Sequence, residues 1–334
     1  MVLYWLWLSL RHGGFTLPTV ANPSFPFGGW IGESKDIVLM NAGAYARGYI
    51  APWISFERAE NTSVDHTLRT ALLLAKKSQI GFPLVAKPDK GCRGAGVRRV
   101  RNENELAVYI ATFPTAERVV LQELVDFEAE AGVFYVREPD SARGKIISLT
   151  LKYFPYVFGD GRSTLRELIE RDSRANALMH IYIPRHVHRL DQVLPPGEPY
   201  RIAFAGSHSR GTIFRDGNRY ITAALEEVFD KIARDIAGFH FGRFDIRFSS
   251  IDELRQGRNF RIIEVNGAGA EATHIWDRGT RLVDAYRTLM RQYALLWKIG
   301  ADNARRGHAR AGLFELLSAW RKEVRLWSRY PMTE

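Results

Sequence analysis

Two short segments in the second half of the chain carry polar side chains that could hold a divalent cation. Residues 241–248 (FGRFDIRF) and residues 261–266 (RIIEVN) both show the alternation of a strand. A polar linker between them allows a hairpin, which would bring Asp245 close to Glu264 and Asn266. Two carboxylates and an amide oxygen are hard ligands that suit Mg²⁺, which also takes oxygens from water and phosphate. The segments therefore predict a metal site.

The same strand pair has a second interpretation. Arg243 and Arg247 share the strand face of Asp245, and Arg261 opens the second strand. Either acid could pair with one of these arginines, because a charge on an otherwise apolar strand is costly unless it is paired or metal-bound. The residues alone leave both interpretations open.

Residues 87–96 (KPDKGCRGAG), which we call the glycine-rich hairpin, combine three glycines with three cations between two predicted strands. Glycine lets a backbone approach a ligand closely, and N–H groups together with positive charge can bind a polyphosphate. No Gly-Lys-Ser/Thr ending marks a Walker loop, and the strand that follows excludes a dinucleotide fingerprint. The alternative is an ordinary hairpin with solvated charges.

The sequence predicts both helices and strands around these residues, with hairpins alternating with helices, which indicates an α+β fold. Residues 1–60 are aromatic, rich in Gly and Pro, and irregular. A Gly-Asp-Gly turn at 159–161 precedes a capping box formed by Thr164 and Glu167, which opens a helix. Further helices are predicted at 64–77, 102–113, 223–236 and 282–296, and strands at 83–87, 96–100, 118–124, 133–136, 146–153, 241–248 and 261–266.

Size and composition fit a soluble globular chain of about two domains. The 334 residues are 46% apolar and 25% charged, which excludes disorder as the main architecture. One cysteine, Cys92, excludes an internal disulfide and a cysteine-based zinc site. The net charge is +10, and residues 281–334 hold 11 Lys and Arg against 5 Asp and Glu. This favours anionic partners but argues against a basic nucleic-acid groove through the body of the protein.

Together the motifs resemble the ATP-grasp superfamily, and within it the carboxylate–amine ligases of the D-alanine–D-alanine ligase and cyanophycin-synthetase type. The resemblance covers roughly residues 64–290 and rests on five elements in the order of the family. It implies two α+β lobes that grip ATP, with a short, atypical N-terminal segment in place of a complete preceding domain. The five elements are the glycine-rich hairpin after Lys87, the strand end Gln122-Glu123-Leu124-Val125, the Gly-Asp-Gly turn, the Arg-x-Asp at 243–245 and the Glu-x-Asn at 264–266.

The resemblance also implies roles for individual residues. Asp245, Glu264 and Asn266 resemble the magnesium ligands, and Arg243 resembles the arginine that stabilises a tetrahedral intermediate. The residues that would bind ATP are Lys87, Gly91, Arg93, Gly94, Gly96 and Lys152 at the phosphates, Glu123, Leu124 and Val125 at adenine, and Glu130 at ribose. Residues that would contact the other substrates are Glu33, Ser209, Arg210, Glu271 and His274.

The implied activity is an ATP-dependent ligation of a carboxylate to an amine through an acyl-phosphate, with Mg²⁺ or alternatively Mn²⁺ as the metal. The substrates would be small molecules: an amino acid, a peptide or an envelope precursor. Two alternatives remain: a phosphotransferase on the same fold, and a non-catalytic nucleotide-binding or membrane-adaptor module. The expected divisions are an N-terminal substrate-side segment (1–62), a small lobe (63–137), a large lobe with the metal site (138–300) and a basic C-terminal helix (301–334).

The two ends of the chain could contact a membrane surface or another part of the protein. Leu313, Leu317, Trp320 and Val324 recur at helical spacing among basic residues, as in helices that lie on anionic membranes. The alternative is that the ends pack on the core or on a second copy in a homodimer. Because residues 1–10 lack a basic n-region and a cleavage site, we expect no secretory signal and a cytoplasmic protein, or one peripheral at the inner membrane surface.

Overall fold

The computed structural model describes residues 1–91, 94–204 and 206–333. Within that part of the chain, strands and helices mix as predicted, which confirms the α+β class. The strands are β1 (Trp53–Arg58), β2 (Leu84–Pro88), β3 (Arg98–Val100), β4 (Glu117–Glu123), β5 (Ala129–Val136), β6 (Lys145–Tyr153), β7 (Tyr156–Phe158), β8 (Pro199–Arg201), β9 (Ile213–Asp216), β10 (Phe241–Phe248) and β11 (Phe260–Asn266).

The helices begin at capping residues that the sequence supplies. Ser63, Asn102 and Thr222 each accept a hydrogen bond from a backbone N–H in the first turn, and Thr164 forms the predicted capping box with Glu167. The helices are α1 (Val2–His12), α2 (Lys35–Met40), α3 (Ala44–Arg47), α4 (Val64–Lys77), α5 (Glu103–Thr112), α6 (Leu165–Arg171), α7 (Ser173–Asn176), α8 (Met179–Arg185), α9 (Ala223–Arg234), α10 (Ile251–Arg255), α11 (Leu282–Arg305) and α12 (Leu313–Trp327).

Two antiparallel sheets carry the site. The smaller sheet has the order β1-β4-β2-β3, and its apolar face packs on α4 and α5 around Tyr109 and Phe113. The larger sheet has the order β11-β10-β5-β6-β9 and packs on α9 through Phe229 and Phe244. Each sheet therefore has a core of its own, which matches the two lobes that the resemblance implies.

The strand pairing divides the chain differently from the boundaries expected above. β1 lies within the segment 1–62 and pairs with β4 of the smaller sheet. β5 lies within 63–137 and pairs with β6 and β10 of the larger sheet. Backbone hydrogen bonds hold a strand to its sheet, so the smaller sheet begins at Trp53 and ends at Glu123. The expected start of the last division at 301 falls inside α11, which continues to Arg305.

The ends of the described chain are helical. α1 packs on α11 through Trp5 and Trp297, whose rings meet at 5.0 Å between centroids. The inner face of α12 buries Leu316 and Leu326. Within the described residues, no helix combines the length and the apolar character needed to cross a bilayer.

Candidate active site

A cavity of about 620 Å³ lies between the two sheets. On one side β2, β4 and the glycine-rich hairpin line it, and on the other β10, β11 and β6 do so. The predicted residues that line it are Lys87, Gly91, Gly94, Glu123, Leu124, Val125, Glu130, Lys152, Arg243, Asp245, Glu264, Asn266, Glu33, Ser209 and Glu271. Residues from many separate segments therefore converge on one space.

The predicted hairpin of the two polar strands is present. In the pairing of β10 with β11, Asp245 lies opposite Glu264 and Arg243 lies opposite Asn266. Residues directly opposite one another in an antiparallel pair point to the same side of the sheet. A bulge follows Asp245, and the linker between the strands contains α10. Both carboxylates and the amide thus share the face that lines the cavity.

Asp245 also forms the ion pairs of the alternative interpretation. Its Oδ1 accepts from Arg243 Nε at 2.8 Å, and its Oδ2 accepts from Arg243 Nη2 at 3.1 Å. Lys152 Nζ lies 3.1 Å from Oδ1. Burial would raise the pKa of Asp245, but the guanidinium of Arg243 and the ammonium of Lys152 outweigh it and hold the pKa well below its usual range. The carboxylate is therefore ionised at neutral pH.

The donor set fits a cation that receives further ligands from its surroundings. Among the described residues, no group of three His, Cys, Asp or Glu side chains could hold a metal alone. Glu264 contacts Lys35 at 3.4 Å, not the strand arginines, and its side chain is 31% exposed. Because the Asn266 Nδ2 donates to Asp245, its Oδ1 is the atom available to a cation. Two carboxylates and one amide oxygen suit Mg²⁺ when water and phosphate oxygens complete its coordination.

Lys87 reaches the cavity from β2 of the smaller sheet. Its Nζ donates to the Oε1 of Gln122 at 2.7 Å and to the carbonyl of Ile263 at 2.9 Å. Burial lowers the pKa of Lys87 to about 8, although the charge of Glu264 opposes the shift. A cation held by neutral acceptors in a cavity is well placed to exchange them for a phosphate.

The residues at the end of β4 also belong to the cavity lining. They are Glu123, Leu124 and Val125, and the carbonyl of Val125 accepts a hydrogen bond from Arg247 Nη1 at 3.2 Å. Glu130, which the resemblance places at the ribose, also lines the cavity, but its carboxylate is held in an ion pair. Its side chain is 5% exposed, and its Oε1 accepts from Lys152 Nζ at 2.9 Å. A ribose hydroxyl would have to compete with this buried ion pair.

In the glycine-rich hairpin, Gly91 and Gly94 line the cavity, whereas Gly96 does not belong to the lining. Gly96 packs instead on Pro88 and Tyr330. Gly94 and Gly96 have φ values of +71° and +69°, which favour glycine. Arg93 lies outside the described residues.

Two of the residues expected at the other substrates do not line the cavity. His274 is 9% exposed and shares a hydrogen bond of 2.6 Å between its Nδ1 and Ser148 Oγ. Arg210 is also absent from the lining, and its carbonyl accepts from Tyr182 Oη. Residues 206–209 therefore line the cavity, but the next residue, Arg210, does not. This placement does not support His274 as a general base.

Glu33 does lie in the cavity. Its Oε1 accepts a hydrogen bond from the backbone N–H of Gly267 at 2.9 Å. Burial, followed by the negative charge of Glu264, raises the pKa of Glu33 to about 8. Glu33 is therefore largely protonated at neutral pH.

Several lining residues were missed by sequence reasoning. Gln122 was named only as part of the strand end at 122–125, and its contact with Lys87 was not predicted, although it lies diagonally across the β2–β4 pair from Lys87. Lys35 donates to the carbonyl of Gly91 at 2.9 Å and had no motif to mark it. Trp320, Glu323 and Trp327 reach the cavity from α12, and the apolar stripe of that helix was the signal that one face is buried.

Comparison with known proteins agrees with the motifs. No protein-family model matches the chain. The chain is 27% identical to the cyanophycin synthetase of Synechocystis over 214 residues, which is 58% of this chain and 24% of that protein. It thus spans about a quarter of the length of this relative. This relative is of one of the two types that the motifs resemble.

The fold was also compared with solved structures. The D-alanine–D-alanine ligase from Bacillus anthracis is 15% identical with a TM-score of 0.42, over 82% of this chain and 67% of that chain. A bifunctional glutathione synthetase from Pasteurella multocida is 15% identical with a TM-score of 0.39, over 79% of this chain and 35% of that chain.

Proposed function

We propose that this protein is an ATP- and Mg²⁺-dependent ligase that joins a carboxylate to an amine. The observation that carries the proposal is the convergence of Lys87, Lys152 and the acid pair Asp245 and Glu264 on one cavity between two sheets. The sequence similarity to a cyanophycin synthetase supports the same class of reaction.

ATP would lie between the sheets. The backbone of Leu124 and Val125 at the end of β4 would meet the adenine edge, and Glu123 would accept from its amino group. Lys87 and the N–H groups of the glycine-rich hairpin would bind the β- and γ-phosphates. Asp245, Glu264 and Asn266 would hold Mg²⁺, which when bound neutralises phosphate charge.

The reaction would need charge stabilisation more than a covalent nucleophile. A substrate carboxylate oxygen attacks the γ-phosphorus, and ADP leaves. The amine of the second substrate then attacks the acyl carbon, the bond from that carbon to the phosphate oxygen breaks, phosphate leaves, and the nitrogen gives up a proton as the amide forms. Arg243 would stabilise the oxyanion of that step, and its guanidinium is held in place by Asp245 and by the carbonyl of Glu271 at 3.2 Å.

The test is phosphate release from ATP over a panel of amino acids, peptides and cell-envelope precursors, with mass spectrometry of the products. Glu264→Gln keeps the shape of the side chain but removes one negative charge from the metal site. We expect it to lower turnover by about 10²–10³-fold, the usual cost of one positioned electrostatic group. Glu170→Gln, at an exposed position of α6, is the matched control and should leave turnover unchanged.

The outcomes separate the candidate functions. Phosphate release that requires both a carboxylate and an amine, with an amide product, supports the ligase. A phosphorylated product that forms without an amine would instead identify a phosphotransferase. Near-normal, substrate-dependent phosphate release from Glu264→Gln would contradict the assignment of the metal site.

A further inference from the structure

The segment after α12, residues 328–333, lies against the glycine-rich hairpin. The Oγ1 of Thr333 donates to the carbonyl of Gly94 at 2.8 Å and accepts from the backbone N–H of Gly96 at 3.0 Å. Thr333 is 4% exposed. One hydroxyl therefore joins two glycines of the hairpin and satisfies a donor and an acceptor of its backbone.

Tyr330 makes a second contact from the same segment. Its Oη donates to the carbonyl of Lys90 at 2.5 Å, and its ring stacks on Phe113 with 5.5 Å between centroids. It also packs against Gly96. The hairpin is thus held at Lys90, Gly94 and Gly96 by side chains that come from a distant part of the chain.

The hairpin lies beyond the β2–β3 ladder, where other contacts support it: Tyr109 Oη also donates to the carbonyl of Gly96 at 2.9 Å, and the N–H of Val97 donates to the carbonyl of Gly94 at 3.3 Å. The ladder between β2 and β3 joins Leu84 to Val100 and ends at Ala86 opposite Arg98. Beyond it, Gly94 and Gly96 adopt left-handed conformations and have no side chain to restrict them. A loop that is ordered before its ligand arrives avoids the entropy loss of ordering it on binding.

We propose that Thr333 is a positioning residue for the phosphates of ATP. It holds Gly94, which lines the cavity, and Gly96 in the conformation that presents the hairpin backbone to the ligand. The inference rests on the proposed function, because it takes the hairpin to be the phosphate-binding element. Thr333 itself does not line the cavity and acts only through the hairpin.

The test compares Thr333→Val with Thr333→Ser in the chain of 334 residues. Valine has the shape of threonine but loses both hydrogen bonds, whereas serine keeps the hydroxyl. Titration calorimetry with ATP and Mg²⁺ should give a Kd about tenfold higher for Thr333→Val than for the unmodified chain. Thr333→Ser should bind ATP within about threefold of the unmodified chain. Tyr330→Phe, which loses the bond to Lys90 but keeps the ring, should also weaken binding.

Thermal unfolding identifies a variant that merely fails to fold. If Thr333→Val melts early, its titration is repeated beside that of Thr333→Ser at a temperature at which both variants are folded. Variants that fold and bind ATP as tightly as the unmodified chain would overturn the inference while leaving the proposed function intact. Weak binding by Thr333→Val that serine does not restore would also overturn it, because the hydroxyl would then be irrelevant. An unmodified chain that binds no ATP would instead contradict the proposed function itself.

Discussion

At the scale of single residues, Lys87 shows how burial prepares a charge for a ligand. Lys87 is 6% exposed, and its ammonium donates to two uncharged oxygens, the Oε1 of Gln122 and the carbonyl of Ile263. Desolvation disfavours the charged form, and the negative charge of Glu264 compensates only in part. The pKa of about 8 follows from this balance. A phosphate would restore the missing countercharge and raise the pKa again.

A pH dependence of ATP binding follows from this pKa. As the pH rises through 8, Lys87 of the free protein loses its proton, so that binding requires proton uptake. We expect the Kd for ATP to rise by up to about tenfold per pH unit above pH 8. Lys87→Arg keeps its charge throughout this range and should give a flatter profile. The measurement is calorimetry from pH 7 to 9.5.

The control concerns Glu33, whose pKa is also about 8. If Lys87 is responsible, the chain with Glu33→Gln retains the pH dependence and the proton uptake on binding. A flat profile in Glu33→Gln, with an unchanged slope in Lys87→Arg, would assign the effect to Glu33 and contradict the prediction.

Site residues could be predicted where the contacting residues are close in sequence, and not where they are far apart. The common face of Asp245 and Glu264 follows from alternation within two neighbouring strands, which is local information. The partners of Glu130 and His274 come from β6, and no local pattern announces Lys152 or Ser148 as their neighbours. Sequence reasoning therefore predicted the pair of strands that carry Asp245 and Glu264. It did not predict the ion pair of Glu130 with Lys152 or the burial of His274.

At the scale of elements, a buried side chain joins part of the irregular N-terminal segment to the larger sheet. Asn22 is completely buried, and its Nδ2 donates to the carbonyls of Gly28 and Phe241. Its Oδ1 accepts from the backbone N–H groups of His240 and Phe241 at 2.8 and 2.9 Å. Asn22 thus joins residues 22–28 to the start of β10, the strand that carries Asp245.

Asn22→Ala should therefore destabilise the protein strongly. The substitution leaves the buried N–H groups of His240 and Phe241 and the carbonyl of Phe241 without this partner, and each orphaned group costs about 1–3 kcal/mol. The carbonyl of Gly28 still accepts from the N–H of Ala268. Because such costs are not additive, we expect the free energy of unfolding to fall by about 3–5 kcal/mol. Urea denaturation measures it.

Asn41→Ala is the matched control. Asn41 donates to the carbonyl of Ser24 at an exposed site, so its loss should cost less than about 1 kcal/mol. Equal losses in the two variants would show that the buried network of Asn22 does not stabilise the fold beyond an ordinary surface contact.

Elements were predictable where their pattern was long and capped. α4 runs over Val64–Lys77 as predicted, because four apolar positions and a serine cap agree. β1 was missed, since its six residues lie in a segment whose glycines and prolines indicate loops. β5 begins at Ala129, four residues before the prediction, because Ala129–Gly132 have low β-propensity and are held by pairing with β10.

At the scale of the whole molecule, α12 serves the site with one face and leaves the other uncovered. Its inner face brings Trp320 and Glu323 to the cavity, and Glu323 accepts from the N–H of Gly32 at 2.8 Å. Its outer face exposes Leu313, Phe314 and Leu317, with Phe314 87% exposed. α12 can therefore pack on the core with its inner face and contact a membrane with its outer face, so the two alternatives from the sequence do not exclude each other.

The outer face of α12 predicts binding to anionic lipid. Phe314 and Leu317 lie beside Arg321, Lys322 and Arg325, which line one groove with them. Apolar side chains flanked by basic ones are typical of helices that rest on anionic membrane surfaces. We expect the chain to float with vesicles of phosphatidylserine and phosphatidylcholine, and binding to weaken as salt rises because the charges are exposed.

Point variants test this more cleanly than deletion, since removing the end of the chain would also remove Thr333 from the glycine-rich hairpin. The double variant Phe314→Ser and Leu317→Ser should lower the vesicle-bound fraction several-fold. Leu73→Ser is the matched control, because Leu73 is 69% exposed on α4 of the smaller sheet and lies outside this groove. Equal flotation of all three proteins, or flotation that neutral phosphatidylcholine vesicles support as well, would contradict the prediction. In that case the exposed stripe of α12 would need another occupant, and the apolar contact of a second copy would be measured by sedimentation.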